Sequence, residues 1–215
     1  MILALVLGGM LSAQAQHVQE SKFCSPFDFP ILLSANFGEL RPNHFHNGLD
    51  IKTQGVTGKP IHCIADGYVS RVAVLHGGYG QAIYVTHPNG LTSVYGHVIS
   101  FAKNIQAYVR QYQYAHETFV CDLKFQPGQF PVKKGDIIAL SGNEGASAGP
   151  DLHLELRRTE TGEYIDPMPY FKHLLKDSKA PVGSLIGIYP IQGKGVVNGS
   201  SHKKLLAIGN LKQPV

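Results

Sequence analysis

Residues 151–156 read DLHLEL and carry an ionisable side chain at every second position. Side chains of a β-strand point alternately to its two faces, so the three leucines face one side, which we expect to be the core. Asp151, His153 and Glu155 share the other face, with Asp151 and His153 about 6 to 7 Å apart along the strand. Both can therefore contact one metal ion, water or substrate, although the exposed face of an ordinary antiparallel strand is also polar.

A second pair of candidate ligands, His46 and Asp50, lies four positions apart in HNGLD. On an uninterrupted strand these side chains would be about 13 Å apart, too far for one metal ion with ligand bonds of about 2 Å. A helix would bring them together, but Asn47-Gly48 disfavours a helix interior and favours a turn. We therefore expect a bend at Asn47-Gly48 to bring His46 and Asp50 to one point.

Two such ligands and one more would form a zinc site with three protein ligands, which leaves a coordination position open for water. His153 is the natural third ligand. No spacing of Cys24, Cys63 and Cys121 resembles a cysteine-ligated zinc site, and the odd count leaves at least one free thiol. A disulfide between Cys24 and Cys121 stays open, because spacing cannot establish it.

Three motifs occur in order along the chain: HFHNGLDI at 44–51, VYGHV at 94–98 and GASAGPDLHLEL at 145–156. They resemble the His-x-x-x-Asp, Tyr-Gly-His and Gly-Pro-His-x-His-x-Glu motifs of the lysostaphin-type (LytM-like) zinc metallo-endopeptidases. The resemblance covers residues 33–171. It implies a mainly β fold, a lysostaphin-type peptidase core built as an antiparallel β-sheet or β-sandwich-like structure, with one inserted helix.

The resemblance also implies a function. His46, Asp50 and His153 would hold Zn²⁺ as the cofactor, and the chain would be a hydrolase that cuts peptide bonds in the stems or cross-bridges of bacterial peptidoglycan. In this family the metal lowers the pKa of the attacking water and polarises the scissile carbonyl. His97, in the Tyr-Gly-His motif, would stabilise the developing oxyanion or orient the water.

Position 151 departs from the family motif, because the family has a histidine there that serves as a general acid or base. Asp151 is shorter, and beside a dication it is expected to be ionised. It could accept the proton of the water as the catalytic residue, or it could bind the metal and block the open position. A sequence error or a recent loss of activity would also explain the aspartate.

The surrounding pattern indicates the elements that position these residues. His87-Pro88-Asn89-Gly90 separates two β-branched and aromatic runs, which predicts an antiparallel hairpin between 82–86 and 91–95. One segment has helical periodicity, with an apolar stripe that is formed by Phe101, Ile105, Tyr108, Val109 and Tyr112. We expect this helix to lie across the sheet.

Composition places the chain among turn-rich globular proteins. Its 215 residues include 24 glycines, 13 prolines and 16% charged residues, which favours β structure over coiled coil or disorder. The net charge is +4, and no run of Lys and Arg exceeds two residues. This mild basicity suits an anionic polymer or surface, and we predict no nucleic-acid partner.

The N-terminal 16 residues, MILALVLGGMLSAQAQ, form an apolar stretch that is too short to span a bilayer as a helix. It ends in the small-x-small cleavage signal Ala13-Gln14-Ala15, which predicts a signal peptide over residues 1–15. We therefore expect a secreted protein of the periplasm or cell envelope, with no stable membrane insertion after signal cleavage.

The rest of the chain is predicted to contain the metallopeptidase domain at 16–180 and a C-terminal extension at 181–215. The extension is Gly-rich with short β-like runs, as at the start of a small β domain. Two functions remain in competition: an exported zinc metallo-endopeptidase, and a catalytically impaired family member, with Asp151 in place of histidine, that acts as a cell-wall binding or hydrolase-activating module. A carbohydrate-binding module with a structural metal is disfavoured, because such sites normally have four protein ligands.

Overall fold

A computed structural model of the chain describes residues 23–175, 183, 185–191 and 194–207. The predicted signal peptide at 1–15 lies outside the described residues. The chain divides into two compact units, Met1–Lys176 and Asp177–Val215.

The first unit consists mainly of short antiparallel strands. Its strands are β1 (Leu33–Ala35), β2 (Leu49–Lys52), β3 (Pro60–His62), β4 (Gly67–Val74), β5 (Gln81–Thr86), β6 (Leu91–Gly96), β7 (Ser100–Phe101), β8 (Cys121–Lys124), β9 (Pro131–Val132), β10 (Ile137–Leu140), β11 (Asp151–Arg158) and β12 (Tyr164–Ile165). Its helices are α1 (Lys103–Ala115), α2 (Met168–Phe171) and a 3₁₀-helix (Lys172–Leu174).

Two sheets build this unit. Within residues 23–175, nine strands form the larger sheet in the order β1-β2-β11-β6-β5-β4-β8, with β12 paired to β11 and β9 paired to β4. The smaller sheet has the order β3-β10-β7. The predicted mainly β, antiparallel fold class is therefore confirmed.

One hydrophobic core lies between the two sheets and α1. Leucines 152, 154 and 156 of β11 are fully buried in it, together with Ile61 of β3 and Ile105 of α1. The predicted orientation of the three leucines is therefore confirmed. The opposite face of the larger sheet carries the ionisable residues of β11 and a small separate cluster, which is formed by Ala82, Tyr84 and Val94.

The predicted hairpin is formed by β5 and β6, which pair antiparallel from Thr86 opposite Thr92 to Ile83 opposite Tyr95. Gly90 in its turn has φ +80°, a conformation that glycine adopts without steric cost.

The predicted helix is present as α1, with Ile105 and Val109 buried. Two members of the predicted stripe differ from the prediction. Phe101 belongs to β7, where it is buried, and Tyr108 is largely exposed at 41%. Tyr108 packs edge-on against Phe125 and Phe130, which belong to the loop between β8 and β9.

All three cysteines lie in the described part of the chain and are free. The Cys24 thiol donates a hydrogen bond to the Cys63 carbonyl at 3.2 Å, while Cys121 pairs with Val74 through the β4–β8 ladder. The disulfide that the sequence left open between Cys24 and Cys121 is therefore not formed.

The second unit contains a small antiparallel hairpin of β13 (Leu185–Ile188) and β14 (Lys204–Ala207). The predicted C-terminal extension at 181–215 lies partly outside the described residues. Among the residues that the structure describes, no helix is long and apolar enough to cross a membrane.

Candidate metal centre

The ladder between β2 and β11 sets two of the candidate ligands side by side. His153 of β11 lies directly opposite Asp50 of β2, and Asp151 lies opposite Lys52. Residues that face each other in an antiparallel ladder point to the same side of the sheet. The pairing therefore places all four of these side chains on the face away from the core.

The chain bends at Gly48, as the sequence predicts, and His46 comes back over Asp50. A Cβ atom at position 48 would lie 2.5 Å from the carbonyl oxygen of Leu154 and 3.0 Å from its carbonyl carbon. The glycine is therefore required by the close approach of the bend to the β11 backbone, which a side chain would push away.

His46, Asp50 and His153 direct three donor atoms to one point. The Asp50 Oδ1 atom lies 3.0 Å from His46 Nε2 and 2.9 Å from His153 Nδ1, and the two ring nitrogens are 3.1 Å apart. Both histidines are buried, and Asp50 is largely buried. The three residues that the sequence predicts as ligands are thus in mutual contact.

The outward atoms of the three side chains are held by other groups. The Nδ1–H of His46 donates to the carbonyl of Asn36 at 2.7 Å, and the Nε2–H of His153 donates to Glu155 Oε1 at 2.9 Å. Arg41 donates to the second Asp50 oxygen, Oδ2, at 3.2 Å. These contacts leave a lone pair on His46 Nε2 and another on His153 Nδ1, which is the tautomer state that a metal ligand needs.

Burial and charge shape the pKa values of this cluster. Burial alone would lower the pKa of His153, but hydrogen bonds to Asp50 and Glu155 raise it to about 9. Burial would raise the pKa of Asp50, but hydrogen bonds from His153 and His46 hold it well below its usual range. A positive charge between these groups is therefore stabilised.

The donor set fits a zinc ion. Two neutral imidazole lone pairs that face each other at 3.1 Å repel unless a cation lies between them. A tetrahedral zinc ion with bonds of about 2.0 to 2.2 Å holds its donors about 3.3 to 3.6 Å apart, so an outward shift of a few tenths of an ångström would accommodate it. Nitrogen and carboxylate oxygen are donors that zinc prefers.

His97 lies beside this cluster at the end of β6. It is buried, and its ring centroid is 5.8 Å from that of His153. Its Nδ1–H donates to the carbonyl of Glu144 at 2.7 Å, and its backbone has φ +61°, a left-handed conformation that is uncommon for a non-glycine residue. Because Nδ1 is occupied, Nε2 is the ring nitrogen available to a substrate.

Asp151 begins β11 and borders the same cleft. Its Oδ1 atom accepts a hydrogen bond from the Ser147 hydroxyl at 2.8 Å. Burial raises the pKa of Asp151 above its usual value, against the effect of the Ser147 hydrogen bond. In the metal-free protein this carboxylate is therefore a better proton acceptor than an exposed aspartate.

Glu155 is the main residue of the centre to which sequence reasoning gave no role. It is fully buried, bonds to His153, and accepts hydrogen bonds from the Tyr79 hydroxyl and from Arg157 Nε, the latter at 2.8 Å. The Tyr79 ring also stacks on the His153 ring at 5.3 Å. The signal was present in the alternation, since Glu155 shares the face of His153 two positions later.

A cleft of about 1110 Å³ lies over the three donor atoms. Its lining includes the three candidate ligands, His97, Asp151 and the glycine- and alanine-rich loop at 146–150. A peptide can therefore approach the donor atoms from the solvent side.

A model of the family described as Peptidase family M23 matches residues 44–115 of this chain. An uncharacterized metalloprotease of Haemophilus influenzae is 31% identical over 150 residues, which are 70% of this chain and 25% of that protein. The DD-carboxypeptidase/endopeptidase Mpg of Neisseria meningitidis serogroup B is 28% identical over 123 residues, or 57% of this chain and 22% of that protein. The chain spans about a quarter of the length of these curated relatives.

Among solved structures, the catalytic domain of the antimicrobial peptidase lysostaphin from Staphylococcus simulans has a TM-score of 0.50 to this chain. The two are 22% identical, and the match covers 66% of this chain and 92% of that chain. This likeness concerns the fold, and it agrees with the lysostaphin-type architecture that the sequence predicts.

Proposed function

Since the chain belongs to peptidase family M23, a family of metallopeptidases, we propose that it is an exported zinc metallo-endopeptidase. Its substrate in this proposal is the peptide part of bacterial peptidoglycan, in the stems or the cross-bridges. The observation that carries the proposal is the convergence of His46 Nε2, Asp50 Oδ1 and His153 Nδ1 within 3.1 Å of one another at the floor of an open cleft.

In this proposal His46, Asp50 and His153 hold the zinc ion. When bound, zinc supplies a Lewis acid that polarises the scissile carbonyl and lowers the pKa of a water. Asn36 and Glu155 keep the two histidines in the ligand tautomer, and Arg41 fixes the orientation of Asp50.

His97 and Asp151 have the roles of catalytic residues in the proposal. With its Nδ1–H donated to Glu144, the free Nε2 of His97 accepts a hydrogen bond from the attacking water and orients it. Asp151 accepts the proton of the attacking water, a role open to a carboxylate that borders the cleft beside the donor atoms. The Ser147 hydroxyl holds this carboxylate at the edge of the cleft.

Export follows from the substrate, since peptidoglycan lies outside the cytoplasmic membrane. The apolar residues 1–15 support the same localisation, the periplasm or cell envelope. The name of one relative, the DD-carboxypeptidase/endopeptidase Mpg, also supports a peptide substrate.

The second candidate function is a non-catalytic module that binds the cell wall or activates another hydrolase. One observation favours it, because Asp151 stands where the family motif has histidine and its carboxylate is already bonded to Ser147.

Digestion of purified peptidoglycan separates the two candidates. The zinc-loaded wild type is expected to release new amine termini, which are counted by amine labelling, and His46→Ala is expected to release none. If Asp151→His releases them and the wild type does not, the chain is the binding module. If neither protein does, the enzyme proposal is wrong for this substrate.

A further inference from the structure

We propose that Lys52 binds a free carboxylate of the substrate, on the residue next to the scissile bond. This inference rests on the proposed function and names its substrate class: peptides with a carboxylate beside the bond to be cut, and not the interior of an uncharged cross-bridge. Lys52 lies in the same cleft as the candidate ligands.

The register of β2 places Lys52 next to the metal centre. Lys52 follows the candidate ligand Asp50 by two positions on one strand and faces Asp151 across the ladder. Two positions along a strand correspond to about 6 to 7 Å on the same face. A flexible four-carbon stem therefore brings the ammonium within range of a carboxylate on the next residue, whose Cα lies about 3.8 Å from the Cα of the residue with the scissile carbonyl.

The charge of Lys52 is available to a ligand. Its ammonium takes part in none of the ion pairs within 4.0 Å among the residues that the structure describes. The other cation of the cleft, Arg41, is paired with Asp50 at 3.2 Å. The carboxylate of Asp151, across the ladder, accepts a hydrogen bond from the Ser147 hydroxyl. Lys52 is thus exposed in the cleft, and no described carboxylate holds its ammonium in an ion pair.

An apolar surface adjoins Lys52 and fits the residue that carries the carboxylate. The backbone N–H of Lys52 donates to the carbonyl of Leu32 at 2.9 Å, and the Leu32 side chain is 59% exposed. Phe29 and Pro30 continue the same wall of the cleft. A small apolar residue such as alanine would bury its methyl group against this wall while its carboxylate binds Lys52.

The overall charge of the cleft points to the same ligand class. Besides its histidines, the lining carries two cations, Arg41 and Lys52, and two carboxylates, Asp50 and Asp151. A bound dication makes the loaded cleft positive, which favours an anionic substrate over a neutral one.

Binding of matched ligands tests this inference without relying on turnover. The ligand is an acetylated pentapeptide that ends in D-Ala-D-Ala, with a ketomethylene group replacing the last amide so that it cannot be hydrolysed. It is prepared with a free terminal carboxylate and as the carboxamide. Calorimetric titration of the zinc-loaded full chain is expected to give about tenfold tighter binding of the acid, as for a charge-assisted hydrogen bond.

The variants assign this preference to one side chain. Lys52→Met is expected to bind the acid and the carboxamide equally, Lys52→Arg to keep most of the preference, and Lys124→Met, on the far edge strand β8, to behave as wild type. The inference is overturned if the wild type does not distinguish the two ligands, if it binds neither, or if Lys52→Met keeps the preference. If the wild type prefers the acid through Lys52 but does not digest peptidoglycan, the enzyme proposal is refuted and the inference about Lys52 stands.

Discussion

The Nε2 atom of His46 and the Nδ1 atom of His153 lie 3.1 Å apart although 107 residues separate them in the chain. His46 precedes β2 and His153 lies within β11, so the pairing of these two strands creates the contact. Each ring donates its other N–H to a protein oxygen, which leaves two lone pairs facing each other. This arrangement requires a cation, and it makes metal binding the first property to test.

Zinc is expected to bind with about one ion per chain and to stabilise the fold. At a free zinc concentration of 100 times Kd, the free energy of unfolding should rise by about 2.7 kcal/mol. His46→Ala removes one of three ligands and should abolish both effects. His44→Ala is the matched control, because His44 is exposed two positions earlier. Metal analysis after dialysis and thermal unfolding provide the readouts, and stabilisation of His46→Ala by zinc would contradict the ligand assignment.

Glu155→Gln is expected to weaken zinc binding by about 10- to 100-fold, the usual effect of losing a hydrogen-bonding partner of a metal ligand. The neutral amide holds the His153 ring less firmly than the carboxylate and leaves Arg157 without its ionic partner. Competition with a chromogenic chelator measures the affinity. Glu163→Gln, which affects only an exposed ion pair with Arg158, should leave it unchanged, and equal affinities for the two variants would refute the role of Glu155.

Gly48→Ala is expected to lower the free energy of unfolding by about 1–3 kcal/mol and to weaken zinc binding. The added methyl group would lie 2.5 Å from the Leu154 carbonyl oxygen, so β11 and the bend must move apart and the histidines with them. Gly77→Ala is the control, since a Cβ there meets nothing within 4 Å. Urea unfolding with and without zinc measures both effects. If Gly48→Ala is as stable as Gly77→Ala, the close contact between the bend and the Leu154 backbone does not require a glycine.

His87 is expected to make the fold acid-sensitive. It is buried with its ring nitrogens bonded to the Asp66 carbonyl at 2.9 Å and the Ser93 hydroxyl at 2.8 Å, and burial lowers its pKa. The unfolded chain therefore binds a proton at this position more readily than the folded chain. Stability should consequently fall as the pH drops below the ordinary histidine value of about 6.5 and show no dependence on His87 above it.

Thermal unfolding at saturating zinc, at pH 7.5 and pH 5, tests this expectation. His87→Gln should lose less stability between the two pH values than the wild type does, whereas the exposed His76→Gln should lose as much as the wild type. A pH dependence that is the same in His87→Gln and wild type would rule out His87 as its source.

Local signals in the sequence were sufficient for much of the fold. Asn89-Gly90 predicted the β5–β6 hairpin because the turn needs a residue that tolerates positive φ, and the alternation of DLHLEL predicted which face of β11 is buried. The helix was also predicted, but its apolar stripe is only partly buried, since Ile105 and Val109 lie in the core and Tyr108 is 41% exposed. Periodicity identifies the apolar side of a helix but not what packs against it. Here Tyr108 packs against Phe125 and Phe130 of the loop at 125–130.

The sequence by itself determined the identities of the candidate ligands, because histidine and aspartate at those spacings belong to recognisable motifs. Only the tertiary structure decided that the donor atoms of His46 and His153 lie 3.1 Å apart. It also decided that Glu155 accepts a hydrogen bond from His153 and that Arg41 donates one to Asp50. The physical reason is that strand pairing between β2 and β11 is long-range. Its register depends on core packing over the whole sheet, which no local spacing encodes.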